Sequence, residues 1–177
     1  YVTSLMSDEV ESLNKAKSKH KSGNILEAIK IYQNLIFEDK KNPEIFFLLG
    51  TALLQIKDYT KAIYYLESAI TLKDDNPNYH NNIGIAYSKL KHYKNAIKSY
   101  KKAIDLKDNY LDANINLGIE YKKLNKFKSA KEYFEKANIL SPNNHLIYNN
   151  MGNLCKDLED LEGAIKLYDK SIEIKKD

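Results

Sequence analysis

Four glycines, Gly50, Gly84, Gly118 and Gly152, follow one another at intervals of 34 residues, and five alanines, Ala28, Ala62, Ala96, Ala130 and Ala164, keep the same step. A fixed period of this length marks a chain of stacked supersecondary units, none of which can bury its apolar face alone. The period divides the sequence into repeats 9–42, 43–76, 77–110, 111–144 and 145–177, leaving 1–8 as an N-terminal extension. Every residue then occupies a numbered slot, and the geometry of one repeat predicts where the same slot points in the others.

Within a repeat, apolar or small residues fall at slots 4, 7, 8 and 11, as in Phe46, Leu49, Gly50 and Leu53. That i, i+3, i+4, i+7 stripe is one face of a helix, A. A second stripe at slots 20, 24 and 27, as in Ala62, Leu66 and Ala69 or Ala130, Phe134 and Ala137, predicts a second helix, B. Small residues at slots 8 and 20 let the two antiparallel helices approach closely. A short polar turn separates them, followed at slot 17 by an apolar anchor: Ile25, Tyr59, Tyr93, Phe127 or Leu161. Asp58 and Asp160 offer side-chain oxygens to the first amides of helix B, and Asn24 with Glu27 has capping-box spacing. Asn42-Pro43 and Asn76-Pro77 start helix A with proline at its first position, where the missing N–H costs nothing.

This pattern resembles the tetratricopeptide repeat, whose 34-residue consensus has an aromatic at slot 4, Leu-Gly at 7 and 8, Tyr at 11, Ala at 20, an aromatic at 24, Ala at 27 and Pro at 32. The resemblance covers nearly the whole chain. It implies an all-α, right-handed superhelical solenoid of antiparallel helix pairs, acting as a protein–protein interaction scaffold. The A helices would line a concave groove that holds a peptide segment of a partner protein.

Three places depart from the pattern. Repeat 1 carries Ser12, Lys15 and Lys19 at slots 4, 7 and 11. This reads either as a terminal helix made polar for solubility or as a helix whose Val10 and Leu13 face a partner. Repeat 4 has Lys131 and Asn138 at slots 21 and 28, where the others have isoleucine; a snorkelling Lys131 predicts a weaker interface there. The last helix B presents Ile165, Ile172 and Ile174 with no following helix to cover them. Either further chain covers these residues or they self-associate, and a start at Tyr1 instead of methionine favours a fragment or processed product.

In the family, slots 2, 5, 6, 9, 12 and 13 of helix A face the groove. Here they supply asparagines Asn81, Asn82, Asn116, Asn149, Asn150 and Asn153, whose amides both donate to and accept from an extended backbone. They also supply Lys17, Lys21, Lys89, Lys122, Lys123 and Lys156, opposed by Glu44, Asp112 and Asp157, so the groove leans positive and favours an acidic peptide or a solvated face. Phe47, Leu54, Ile85, Ile115 and Ile119 offer apolar pockets or packing between A helices. The clamp by which co-chaperones of this family grip a C-terminal carboxylate is missing: no three consecutive repeats place its cations at the matching slots. The asparagine ladder is also similar to the substrate-holding arm of O-linked N-acetylglucosamine transferases. A recruiting portion of a larger transferase is therefore the alternative, alongside ciliary transport, anaphase-promoting and peroxisomal import assemblies.

All 28 basic residues are lysine and the net charge is +4, so the arginine forks suited to phosphate and guanine recognition are absent and nucleic acid is not expected as partner. The longest apolar run, Ile45–Leu49, is far too short to span a bilayer. The single Cys155 excludes an internal disulfide framework and fits the cytoplasm or another reducing compartment. His20, His80, His92 and His145 show no metal-ligand or triad spacing, and the glycines form no phosphate-cradling loop. His80 and Cys155 at slots 4 and 11 read as core substitutes, so neither a catalytic centre nor a cofactor or metal is expected in this chain.

Overall fold

The computed structural model describes the backbone of residues 2–176 and the side chains of residues 8–176. Among these it is helical throughout, with ten helices: α1 (Val2–Lys21), α2 (Ile25–Glu38), α3 (Pro43–Gln55), α4 (Tyr59–Leu72), α5 (Pro77–Lys89), α6 (Tyr93–Leu106), α7 (Leu111–Lys123), α8 (Phe127–Leu140), α9 (His145–Asp157) and α10 (Leu161–Lys176). Odd-numbered helices are the A helices and even-numbered ones the B helices. The chain forms two compact units, Tyr1–His92 with α1–α5 and Tyr93–Asp177 with α6–α10. Segment 1–8 is continuous with α1 from Val2 onward; Tyr1 lies outside the described residues.

The turns between A and B helices repeat one hydrogen-bond pattern. After α3, the Lys57 amide bonds to the Leu54 carbonyl and the Asp58 amide to the Leu53 carbonyl, the paired closure of a Schellman motif. The same pair recurs after α1, α5, α7 and α9. It requires a left-handed residue at slot 15, filled by Gly23 at φ 86° but by Lys57 at 64°, Lys91 at 62°, Asn125 at 56° and Glu159 at 62°. The next residue starts helix B: Asp58 Oδ1 accepts from the Lys61 amide at 3.2 Å, and Asp160 Oδ1 from the Gly163 amide at 2.9 Å. Asn42, Asn76 and Asn144 cap α3, α5 and α9 by accepting from the amide two residues on. The capping box expected at Asn24 does not form. Its side chain turns to Ser22 instead, and Glu27 pairs with Lys19 at 3.0 Å.

Gly50, Gly118 and Gly152 at slot 8 receive side chains from the helix B of the same repeat. A Cβ on Gly50 would stand 2.6 Å from Leu66 Cγ, and one on Gly152 2.6 Å from the Tyr168 ring. The close approach is thus a slot-24 side chain seated on a slot-8 glycine. Helix A is also buried on a second face, at slots 3 and 10, by Ile45 and Ala52, Tyr79 and Ala86, Ala113 and Glu120, and Ile147 and Leu154. In unit 1 this face packs on the preceding helix B, so Ile45 and Ala52 share a core with Ile29, Tyr32 and Leu35. Being sandwiched between two B helices gives α3, α7 and α9 two apolar stripes each.

The ends behave differently. In α1, Ala16 is buried and Leu13 packs on the core, while Val10 is exposed, so of the two residues set aside for a partner only Val10 is open. At slot 21, Ile29 is 7 % exposed but Ile165 is 60 % exposed. Lys131 is solvated and lies 3.8 Å from Glu135. The Asn138 side-chain oxygen is buried without a hydrogen-bond partner, which marks a costly position in α8.

Candidate binding face

The A helices carry the predicted groove residues, and the fold sorts them. In unit 1, Phe47 is half-buried with its ring centroid 4.7 Å from that of Tyr79, forming the wall between α3 and α5. Asn82 is half-buried, and its Nδ2 donates to Thr51 Oγ1 of α3 at 3.0 Å, which fixes the plane of the amide. Ile85 is half-buried beside it and Lys89 is exposed. Asn81 is 4 % exposed and lies in the interior, not on the open face.

In unit 2, Ile115, Asn116 and Ile119 are half-buried along α7, while Asn149 and Lys156 are exposed on α9. Lys122 Nζ lies 2.9 Å from Asp157 Oδ2, tying α7 to α9. Lys123 turns back to Glu120 on its own helix, at 2.9 Å, with its ammonium 5.5 Å from the Tyr93 ring centroid. Asn150 donates to the Leu146 carbonyl one turn earlier at 2.9 Å. Asn153 accepts from the Tyr168 hydroxyl at 2.6 Å and so braces α9 against α10. The asparagines therefore do not form one uniform ladder: Asn82, Asn116, Asn149, Asn150 and Asn153 remain at least partly accessible, Asn153 while bracing Tyr168, whereas Asn81 lies in the interior.

The charge of the face is also partly spent. Lys17 is paired with Glu44 at 2.5 Å, Lys122 with Asp157 and Lys123 with Glu120. Among the described residues, Lys21, Lys89 and Lys156 form no ion pair. The sequence reading missed Glu120, a carboxylate only 2 % exposed at slot 10, where the other repeats have Ser18, Ala52, Ala86 and Leu154. The Tyr100 phenol is held far above its ordinary range by its own burial and, secondarily, by the Glu120 carboxylate.

The remaining reactive side chains are held structurally. His80 Nε2 donates to the Asp74 carbonyl at 2.8 Å, closing the turn before α5. Cys155 is half-buried, and burial with the nearby Asp160 carboxylate raises its thiol pKa, Lys131 opposing only in part. Among the described residues no group of three His, Cys, Asp or Glu side chains is placed to hold a metal ion, and no helix is long and apolar enough to cross a membrane.

Tetratricopeptide repeat models match residues 13–77, 77–110, 111–144 and 146–177. The chain belongs to the tetratricopeptide repeat family. Solved structures of the same fold include MamA 41-end from Desulfovibrio magneticus RS-1, with a TM-score of 0.87 at 20 % identity over 95 % of each chain. Another MamA structure gives 0.82 at 24 % identity, covering 91 % of this chain and 94 % of that one. YrrB, described as a TPR protein with an unusual peptide-binding site, gives 0.76 at 20 % identity, covering 94 % of this chain and 86 % of YrrB. No curated protein sequence matches. At these identities the likeness establishes the tetratricopeptide fold of antiparallel helix pairs.

Proposed function

We propose that this tetratricopeptide repeat protein is a non-catalytic scaffold whose A-helix face binds an extended segment of a partner protein. The observation that carries the reading is Asn82. Its amide is held by Thr51 on a neighbouring A helix, beside the half-buried Ile85, so a fixed polar group lies next to accessible aliphatic surface. Such a group meets a peptide backbone without losing its own rotamer freedom on binding. In unit 2 the half-buried Asn116 likewise places an amide beside the half-buried Ile115 and Ile119. The known peptide-binding site of YrrB lends the fold-level analogy. With Lys17, Lys122 and Lys123 paired internally, the acidic preference of the partner rests on Lys21, Lys89 and Lys156.

The test is selection of a random peptide display library on the purified chain, followed by calorimetry of the selected peptides. Asn82→Ala combined with Asn116→Ala is expected to weaken them at least tenfold, the loss of two backbone hydrogen bonds, with helicity and melting nearly unchanged. Peptides that bind the double variant as tightly as the parent would move the binding surface off the A helices.

A further inference from the structure

Slot 4 of helix A is aromatic in repeats 2 and 5, with Phe46 and Tyr148, and holds the His80 ring in repeat 3; in repeat 4 it is Asn114. In repeat 2 the buried Phe46 ring lies with its centroid 6.3 Å from that of Tyr65 at slot 23. Ile36, at slot 28 of the preceding repeat, packs on the same core. Asn114 is shorter, and its Nδ2 donates back to the Tyr110 carbonyl at 2.8 Å. The place of the ring is left as a cleft of about 330 Å³ in unit 2, walled by Ile104 and Tyr133 at the same two slots, with the buried Asn114 at its base.

Two other clefts at this position show what the missing ring does. In repeat 2 the lining is Phe46 itself with Glu67, Ser68 and Thr71, the ring shielding Ile36 and Tyr65. In repeat 1, where slot 4 is Ser12, the lining carries Lys15, Asn34 and Glu38, and no preceding repeat supplies a slot-28 wall. Repeat 4 combines a missing ring with two apolar walls. Its mouth is formed by Ile139, 79 % exposed, and Leu140 on α8. None of the lining residues occupies a groove slot of helix A, so the cleft is separate from the proposed peptide-binding face. Tyr133 stacks on Tyr121 with centroids 5.6 Å apart, which holds the aromatic wall in place. A dry cavity of about 150 Å³ suffices for benzene, so this one admits a ring with its stem. At the rim, Lys136 is engaged by Glu132 at 3.1 Å, and the neighbouring Lys107 lies over the Tyr110 ring at 5.2 Å. Asp108 forms no ion pair among the described residues, so the charge left at the rim is negative.

We propose that this cleft docks one aromatic side chain, phenylalanine or tyrosine, of a partner protein segment that carries a basic residue beside it. The ring enters past Ile139 and lies between Ile104 and Tyr133, as Phe46 lies against Ile36 and Tyr65, and the cation meets Asp108. Phe46 sets the occupant, because the same walls in repeat 2 are built around an aromatic ring. The docking site goes beyond the A-helix reading and does not depend on it.

The test is an amide-resolved NMR titration of the intact chain with acetyl-Gly-Phe-Lys-Gly-amide, beside its Leu-Lys and Phe-Glu counterparts. Saturable shifts at Ile104, Asp108, Tyr133 and Ile139 are expected with the Phe-Lys peptide. The Leu-Lys peptide is expected to bind about three- to tenfold more weakly and the Phe-Glu peptide about two- to fivefold. Asn114→Phe restores the ring and is expected to weaken binding about tenfold or more. Because that variant also loses the bond to Tyr110, Ile139→Ser at the exposed mouth is the second one, expected to weaken binding about threefold with melting unchanged. Equal binding of the Leu-Lys peptide, or a folded Asn114→Phe protein that binds undiminished, would overturn the docking site. Shifts at Asn116 and Ile119 in place of Ile104 and Tyr133 would overturn it while the A-helix reading stands. Sedimentation of the chain alone covers the remaining occupant: self-association abolished both by Asn114→Phe and by Phe37→Ala, at an exposed ring, would give the cleft to a second copy and overturn the partner segment.

Discussion

Gly118→Ala tests the packing that joins α7 to α8 and recurs at Gly50 and Gly152. A methyl group there would lie 2.5, 2.6 and 2.9 Å from three ring atoms of Phe134, against an ordinary carbon–carbon contact of about 3.5–4.0 Å. Phe134 is fully buried, so its ring has no solvent to retreat into. Overpacking of this kind costs about 1–3 kcal/mol, and three simultaneous overlaps put it at the upper end, about 2–3 kcal/mol. Alanine in place of a helical glycine returns about 1 kcal/mol. The net expectation is a loss of about 1–2 kcal/mol, read from urea unfolding by circular dichroism. Phe134→Ala alone should cost about 3–5 kcal/mol through its cavity. In that background the added methyl meets no ring, so Gly118→Ala should stabilise by about 1 kcal/mol, giving a coupling of about 2–3 kcal/mol. Gly152→Ala supplies a check in the otherwise unaltered protein: its obstacle, Tyr168, is only half-buried, so the loss should be smaller than at Gly118. A neutral or stabilising Gly118→Ala in the parent protein, or the same effect in both backgrounds, would refute the seat-and-knob account.

Ile29→Ala should cost about 2–4 kcal/mol because the side chain lies under α3, whereas Ile165→Ala at the same slot should cost less than about 1 kcal/mol; denaturant midpoints with unchanged slopes distinguish them. Lys57→Gly should stabilise by about 1 kcal/mol by relieving a left-handed backbone, and Gly23→Ala should destabilise by about as much although its Cβ would meet nothing within 4 Å; thermal melting decides both. The raised Tyr32 pKa means that the unfolded chain loses this proton near pH 10 and the folded chain only near 12. Its effect on stability is therefore flat below pH 10 and falls as pH rises from 10 to 12, and Tyr32→Phe should flatten that fall while losing the bond to His20.

Much of the fold was legible because a 34-residue period converts five noisy segments into one averaged pattern. Pro43 and Pro77 at helix starts, Asp58 and Asp160 at caps and Gly50, Gly118 and Gly152 at slot 8 all have the roles their chemistry predicts. The left-handed slot 15 escaped notice because lysine and glutamate occupy it in three repeats, and the Schellman closure imposes the conformation regardless of side chain. The second buried stripe was hidden because slots 3 and 10 mix Tyr, Ala, Ile and Leu with the buried Glu120, and no single-helix period announces a face covered by the preceding repeat. At the binding face, slot number fixes the direction of the Cα–Cβ bond but not the partner a side chain then finds. Asn82 and Asn153 are both groove-slot asparagines, yet one is held by Thr51 and the other by Tyr168 of the helix behind it.

The most direct test of the central claim is an amide-resolved NMR map of the intact chain with a display-selected peptide carrying a spin label. The account predicts broadening on the A helices, at Asn82 and Ile85 in unit 1 or at Ile115, Asn116 and Ile119 in unit 2. Broadening centred instead on the B helices, around Phe37 (81 % exposed) or Ile139 (79 % exposed), would contradict it.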